Sequence, residues 1–124
     1  MKYAIIIARV LLGLVFVVFG SNAFLHFMGP PPEMHGQAGA FIGALISSGY
    51  IYPIAMLQVV GGLLLLIGRF IPLGLTLLGP VIVNIMLYHV FLDPSGLPVA
   101  IVVSILALFL IWVYRFRFPA IFQP

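Results

Sequence analysis

A single apolar run near the amino terminus constrains this chain more than any other feature. It extends from Val10 to Met28, contains no lysine, arginine, aspartate or glutamate, and turns polar only at Ser21, Asn22 and His26. About 20 mostly apolar residues are enough for a helix to cross the hydrocarbon core of a bilayer. A helix of a soluble protein keeps a polar face, whereas this run is apolar on almost every face. The run therefore predicts a membrane-spanning helix.

The composition of the whole chain supports the same class. Hydrophobic residues make up 65% of the 124 residues and charged residues 6%, which is too little polarity for the surface of a water-soluble protein. The length predicts a single integral membrane domain over residues 1–124. The five lysine and arginine residues are too scattered for nucleic-acid binding. Because the chain has no cysteine, disulfide exchange and cysteine catalysis by its own residues are excluded.

Short breaks rich in proline and glycine divide the rest of the chain into further apolar blocks. Spans are predicted at about 4–28, 50–68, 72–92 and 97–114, with a short interfacial or re-entrant helix at about 37–48. The predicted fold is all-α, a polytopic membrane protein with four transmembrane helices in a bundle. Pro80 predicts a kink in the third span, and the pair Gly39 and Gly43 predicts a close helix contact.

Charge placement predicts the orientation of these spans. Four basic residues fall on one side of a four-span topology: Lys2, Arg69, Arg115 and Arg117. The positive-inside rule assigns that side, with both termini, to the cytoplasm. Lys2 and the apolar run after it also look like a secretory signal, but Arg9 interrupts the run, so the first helix is expected to be retained. Two interpretations of Arg9 stay open: it extends to the cytoplasmic headgroups, or it faces the bundle and contacts an anionic group or a helix end.

Polar side chains recur at one depth in the four predicted spans. Counting inward from the outer ends places four of them roughly 8–12 Å below the surface: Asn22, Gln58, Asn84 and Ser104. His26 shares a helical face with Asn22, and His89 lies about 140° from Asn84. Buried amides are costly unless they are paired, so they are expected to point at one another. They either tie the helices together or line an outward-opening pocket suited to the two carbonyls of a quinone.

The residues predicted on the outer side include groups that could bind a metal. Imidazoles and carboxylates gather on that side: His26, His35, His89, Glu33 and Asp93. They lack the spacing of a metal motif, so neither metal nor haem is expected. No catalytic residue is assigned, and the absence of acidic residues within the spans disfavours a proton-coupled transporter.

Glycine and arginine patterns give the chain a family resemblance. The patterns are Arg9-Val-Leu-Leu-Gly13-Leu-Val-Phe16-Val-Val-Phe-Gly20, then Gly61-Gly62-Leu-Leu-Leu-Leu-Ile-Gly68-Arg69, then Pro80 with Asn84. Over nearly its whole length the chain resembles the DoxX family of small four-helix membrane proteins. The resemblance implies a bacterial-type inner-membrane protein close to quinone redox chemistry. Many members carry a lysine and a glutamate where this chain has Asn22 and Gln58, so a charged pair becomes a neutral amide pair that costs less to bury.

Two functions follow as alternatives. In the first, the chain is a quinone-binding accessory subunit that works with a redox partner protein, because it carries no redox group itself. The quinone pocket would be lined by Asn22, His26, Gln58 and Asn84, with His89 at its mouth. In the second, the chain is a non-enzymatic structural or assembly partner whose amides only fix helix packing and whose Gly39 and Gly43 form a contact surface. A homo-oligomer or a hetero-complex in the lipid bilayer is expected in either case.

Overall fold

The computed structural model describes residues 1–27 and 35–122, which form helices joined by short turns and contain no strand. Five α-helices are present in these residues: α1 (Lys2–Leu25), α2 (Gly36–Ser48), α3 (Ile51–Ile67), α4 (Ile71–Phe91) and α5 (Leu97–Val113). Two 3-10 segments, Pro94–Gly96 and Arg115–Phe122, flank α5. The all-α prediction is confirmed, and the helices begin and end within a few residues of the predicted positions.

Helix length decides which of these segments can cross a membrane. Three described segments are long and apolar enough: Lys2–Leu25, Ile71–Phe91 and Pro94–Val113. Helix α3 has 17 residues, which reach about 25 Å and fall short of a hydrocarbon core of about 30 Å. Helices α2 and α3 pass the same test only as a pair, and they meet at an angle of 87°. By length and composition the described chain therefore holds three candidate spans, or up to four if the bent pair counts as one.

Residues in the left-handed conformation end several of the helices. Gly49 ends α2 and Gly68 ends α3, each with a φ of 81°, a conformation that glycine adopts without steric cost. Helix α1 ends three residues before the predicted boundary, where His26 takes a φ of 54° and its N–H donates to the carbonyl of Asn22. Helix α4 continues from Ile71 to Phe91 across Pro80, so Pro80 does not end the helix, and the kink stays a prediction.

Close packing of α1 against α3 depends on glycine. A Cβ on Gly62 would lie 2.8 Å from the carbonyl oxygen of Gly13, and a Cβ on Gly20 would lie 3.0 Å from that of Ala55. Residue numbers thus increase along α1 as they decrease along α3, so the two helices are antiparallel. Lipid tails are as apolar as leucine, so close approach of backbones through small residues is a main source of helix association in membranes.

The remaining helices complete a ring in the order α1, α3, α4, α5. Gly61 and Gly74 bring α3 close to α4, because a Cβ on either would lie 3.1 Å from the carbonyl oxygen of the other. The largest fully buried side chains lie inside the ring: Phe16, Leu12, Leu65, Leu78 and Leu110. Helix α2 lies outside the ring and packs against α3. Gly43 on α2 is exposed, with nothing described within 4 Å of a Cβ placed there, so it makes no close contact with any of the described helices.

The outer surface of the ring is apolar along its length. Only 28%, 33% and 22% of the residues in the apolar windows of the three spans are buried in the protein, and large side chains such as Leu14, Val83 and Leu108 face outward. So much exposed apolar surface is compatible with a membrane protein. Arg115 donates from Nη1 to the carbonyl of Trp112 and stacks on its ring, which is typical of an interfacial anchor.

Candidate functional site

A cavity of about 590 Å³ lies between α2, α3 and α4. Its walls are mainly apolar, with contributions from Phe41, Leu45, Ile54, Leu57 and Ile85. Three polar side chains proposed from the sequence also line it: Gln58 on α3, and Asn84 and His89 on α4. The volume and the small number of polar groups are those of a small-molecule pocket.

The other two predicted site residues lie elsewhere. Asn22 is half-buried on α1 and His26 is exposed at the end of that helix, and neither lines the cavity. The reason is the glycine contact between α1 and α3, where a Cβ on Gly20 would lie 3.0 Å from Cβ of Gln58. This close contact keeps α1 out of the wall of the cavity. A smaller pocket of about 290 Å³ between α1 and α3 is lined by Ser21, Phe24, Leu25, Met56 and Val59, and it includes neither Asn22 nor His26. Ser104 of the predicted polar layer is half-buried on α5, also outside the cavity.

The amides of Asn84 and Gln58 do not bond each other. Nδ2 of Asn84 donates to the carbonyl oxygen of Pro80 at 2.8 Å, within its own helix. This bond to a carbonyl four residues earlier satisfies the amide locally and ties no second helix. The side chain of Gln58 is half-buried and makes no hydrogen bond to any other described residue. Both amides therefore keep polar atoms for a ligand in the cavity.

His89 is held in the last turn of α4 by the turn that follows. Its Nδ1 lies 2.9 Å from the carbonyl oxygen of Asp93, and its ring packs edge-on against the ring of Tyr88 at 5.0 Å between centroids. The Asp93 carboxylate accepts from the N–H and hydroxyl of Ser95, which fixes the turn. These contacts restrict the orientation of the imidazole.

An aromatic contact between α2 and α4 forms part of the cavity wall. The rings of Phe41 on α2 and Tyr88 on α4 lie 5.7 Å apart, and both residues line the cavity. Sequence reasoning missed both. Tyr88 follows Asn84 by four residues and so shares its helical face, a signal that could have found it. Nothing in the sequence places Phe41 there, because its position depends on the angle between α2 and α3.

The imidazoles and carboxylates that the sequence assigned to the outer side are dispersed in the part of the chain that the structure describes. No group of three histidine, aspartate or glutamate side chains there lies close enough to share a metal ion. His26 and His35 are exposed, and Glu33 lies outside the described residues.

Arg9 lies at the opposite end of the bundle, against the carboxyl end of α3. A Cβ on Gly68 would lie 2.9 Å from Nη1 and 3.1 Å from Cζ of Arg9. Nε of Arg9 is buried and has no hydrogen-bond partner among residues 1–27 and 35–122. The carboxyl end of a helix carries partial negative charge that favours a cation. A contact with a helix end is one of the two interpretations of Arg9 that the sequence left open.

Gly68→Ala tests this contact against a matched control. Gly49 ends α2 with the same φ of 81°, but the nearest atom to its Cβ position is 3.9 Å away in the ring of Tyr52. Both alanine variants incur the left-handed penalty of about 1–2 kcal/mol, and only Gly68→Ala also displaces the guanidinium. We expect Gly68→Ala to lower the melting temperature in detergent further than Gly49→Ala. Equal losses would mean that Arg9 adjusts without cost.

Comparisons of this chain with protein-family models, curated proteins and solved structures find no match. The resemblance to the DoxX family rests on the residue patterns quoted above and stays a prediction.

Proposed function

We propose that this chain is a quinone-binding accessory subunit of a membrane redox system in a bacterial-type inner membrane. The observation that carries the proposal is the cavity between α2, α3 and α4, whose apolar and aromatic walls surround Gln58, Asn84 and His89. A quinone head group is a flat apolar ring with polar oxygens at two opposite edges. An apolar cavity with a few hydrogen-bonding groups complements such a ring.

Ligand binding explains the amides of the cavity better than helix packing does. Asn84 bonds a carbonyl of its own helix, and Gln58 bonds no other described residue. The close helix contacts are made instead by glycines, at Gly13 with Gly62 and at Gly61 with Gly74. A polar group in a membrane protein that does not serve packing is a candidate for function.

The proposal includes a fourth span made by α3. Helix α3 packs between α1 and α4, and its contacts with α1 extend from Ala55 opposite Gly20 to Gly68 opposite Arg9. Because α1 and α4 are long enough to cross the membrane, a helix that packs along both would lie at the same depth in the membrane. Helix α2 would then lie in the outer interface and close one side of the cavity.

Analysis of bound lipids by mass spectrometry tests the proposed function. The purified protein is extracted with organic solvent beside the double variant Gln58→Leu, Asn84→Leu and a control variant, Ser104→Ala, whose hydroxyl lies outside the cavity. We expect near-stoichiometric quinone from the native protein and the control, and a loss of about tenfold or more from the folded double variant. Equal amounts in all three would favour the structural or assembly role, in which the exposed Gly43 face of α2 meets a partner.

Cysteine labelling tests the proposed orientation. The chain has no cysteine, so a single introduced thiol reports one position. Ser95 and Arg117 are both exposed and lie at opposite ends of α5. In intact cells we expect a membrane-impermeant maleimide to label Ser95→Cys and to label Arg117→Cys only after the membrane is opened. The reverse pattern would contradict cytoplasmic termini.

A further inference from the structure

The hydrogen bond between His89 and Asp93 determines which ring nitrogen carries the proton. A backbone carbonyl can only accept a hydrogen bond, so Nδ1 of His89, 2.9 Å from the Asp93 oxygen, must donate. In a neutral imidazole the lone pair then lies on Nε2. Because His89 lines the cavity and its Nδ1 is engaged, Nε2 is the nitrogen available to a ligand there, as an acceptor.

A hydrogen bond within the protein also orients the side-chain amide of Asn84. Its Nδ2 donates to the carbonyl oxygen of Pro80. Oδ1, the other terminal atom of the amide, therefore points away from that carbonyl. Oδ1 is an acceptor. Two of the three polar residues that the sequence predicted, His89 and Asn84, therefore use a donor on the α4 side of the site and keep an acceptor. The third, Gln58, can donate or accept. Ser48 and Tyr88, which carry hydroxyl groups, also line the cavity.

We infer that the cavity recognises a ring through hydroxyl groups on that ring, and so binds a hydroquinone in preference to the corresponding quinone. The inference rests on the proposed function and adds the redox form of the ligand. A hydroquinone offers two O–H donors to Nε2 of His89 and Oδ1 of Asn84. A quinone offers only carbonyl acceptors, which would leave these two groups facing acceptors. Unsatisfied or opposed polar groups in a low-dielectric site weaken binding strongly.

Gly96 acts as a positioning residue for this arrangement. The His89 ring lies directly over Gly96, so a Cβ there would overlap Cε1 and lie 2.6 Å from Nδ1 and 3.0 Å from Nε2. Any side chain at position 96 must therefore move the imidazole and disturb its bond to Asp93. Gly79 on α4 is a matched control, because nothing described lies within 4 Å of a Cβ placed there and it does not line the cavity.

A preference for the reduced form has a measurable consequence for a bound redox couple. Tighter binding of the hydroquinone raises the two-electron midpoint potential of the bound couple above that of the free couple. Each tenfold preference corresponds to about 30 mV.

The test compares three probes of nearly the same shape on the full chain in lipid nanodiscs under anaerobic conditions. The probes are tetramethylhydroquinone, tetramethylbenzoquinone and the dimethyl ether of the hydroquinone, which retains the ring and loses both donors. We expect the hydroquinone to bind at least tenfold more tightly than either of the other two. Equal or tighter binding of the quinone would overturn the inference and leave the proposed function standing. Failure of all three probes to bind would reject the proposed function and the inference with it.

Two variants then assign the preference to His89. We expect Gly96→Ala to reduce the hydroquinone preference severalfold and Gly79→Ala to leave it unchanged. Nitrogen-15 spectra of the imidazole should show the proton on Nδ1 in the native protein and a mixture of tautomers in Gly96→Ala. If Gly96→Ala does not fold, His89→Phe keeps the ring shape and removes the acceptor, and should likewise reduce the preference. A preference unchanged in the folded variants, or a native proton on Nε2, would refute the assigned role of His89.

Discussion

Gly62→Ala is expected to lower the free energy of unfolding by about 2 kcal/mol. The new Cβ would lie 2.8 Å from the carbonyl oxygen of Gly13 and 3.0 Å from the backbone nitrogen of Val17. Both are backbone atoms of α1, so relief requires the helix to move rather than a side chain to rotate. The higher helix propensity of alanine, about 1 kcal/mol, offsets only part of this cost.

Thermal unfolding in detergent, followed by circular dichroism, measures the effect. Gly43→Ala is the matched control, because it adds the same methyl group to a helix where nothing described lies within 4 Å. It should be neutral or slightly stabilising. If Gly62→Ala and Gly43→Ala unfolded at the same temperature, the close contact between α1 and α3 would not be the main source of packing that its geometry indicates.

Asn84→Leu is expected to weaken binding of the cavity ligand about 10- to 100-fold. The leucine fills much of the space of the amide but leaves a polar atom of the ligand without its partner, at a cost of about 1–3 kcal/mol, and 1.4 kcal/mol corresponds to a factor of ten in affinity. Equilibrium dialysis of a ring probe such as tetramethylhydroquinone against the protein in nanodiscs measures the change.

Thr76→Val controls for the local role of Asn84. Thr76 lies on the same helix, and its hydroxyl donates to the carbonyl of Pro72 at 2.7 Å, the same four-residue pattern that Asn84 makes with Pro80. It does not line the cavity. Loss of affinity in Asn84→Leu alone assigns the effect to the cavity. Equal loss in both variants would instead indicate that bonds to α4 carbonyls shape the helix and act on the ligand indirectly.

In this bundle, small residues make the close helix contacts, and polar residues line the cavity. The helix backbones approach closely at Gly13, Gly61, Gly62 and Gly74. The amides of α3 and α4, on Gln58 and Asn84, line the cavity. This division agrees with measurements that hydrogen bonds between membrane helices add on average only about 0.6 kcal/mol. It also explains why substitution of glycine should affect stability while substitution of cavity amides should affect binding.

The sequence by itself determined where the helices lie. Apolar runs, prolines and glycines act locally on the backbone, so the class and the approximate bounds of α1, α4 and α5 could be predicted from them. The charge pattern gave Arg9 two possible roles without choosing between them. Depth counted along each predicted span also selected Gln58 and Asn84, which do line one cavity.

Only the tertiary structure decided which polar residues share a site. The 87° angle between α2 and α3 opens the cavity on the α2 side of the ring and brings Phe41 to Tyr88. The glycine contact between α1 and α3 keeps α1 out of the wall of this cavity, so Asn22 and His26 do not line it. Depth along a helix follows from residue count, but the face that a helix turns to a ligand depends on how closely its neighbours pack. That distance is set by contacts between residues remote in the chain, such as Gly13 with Gly62.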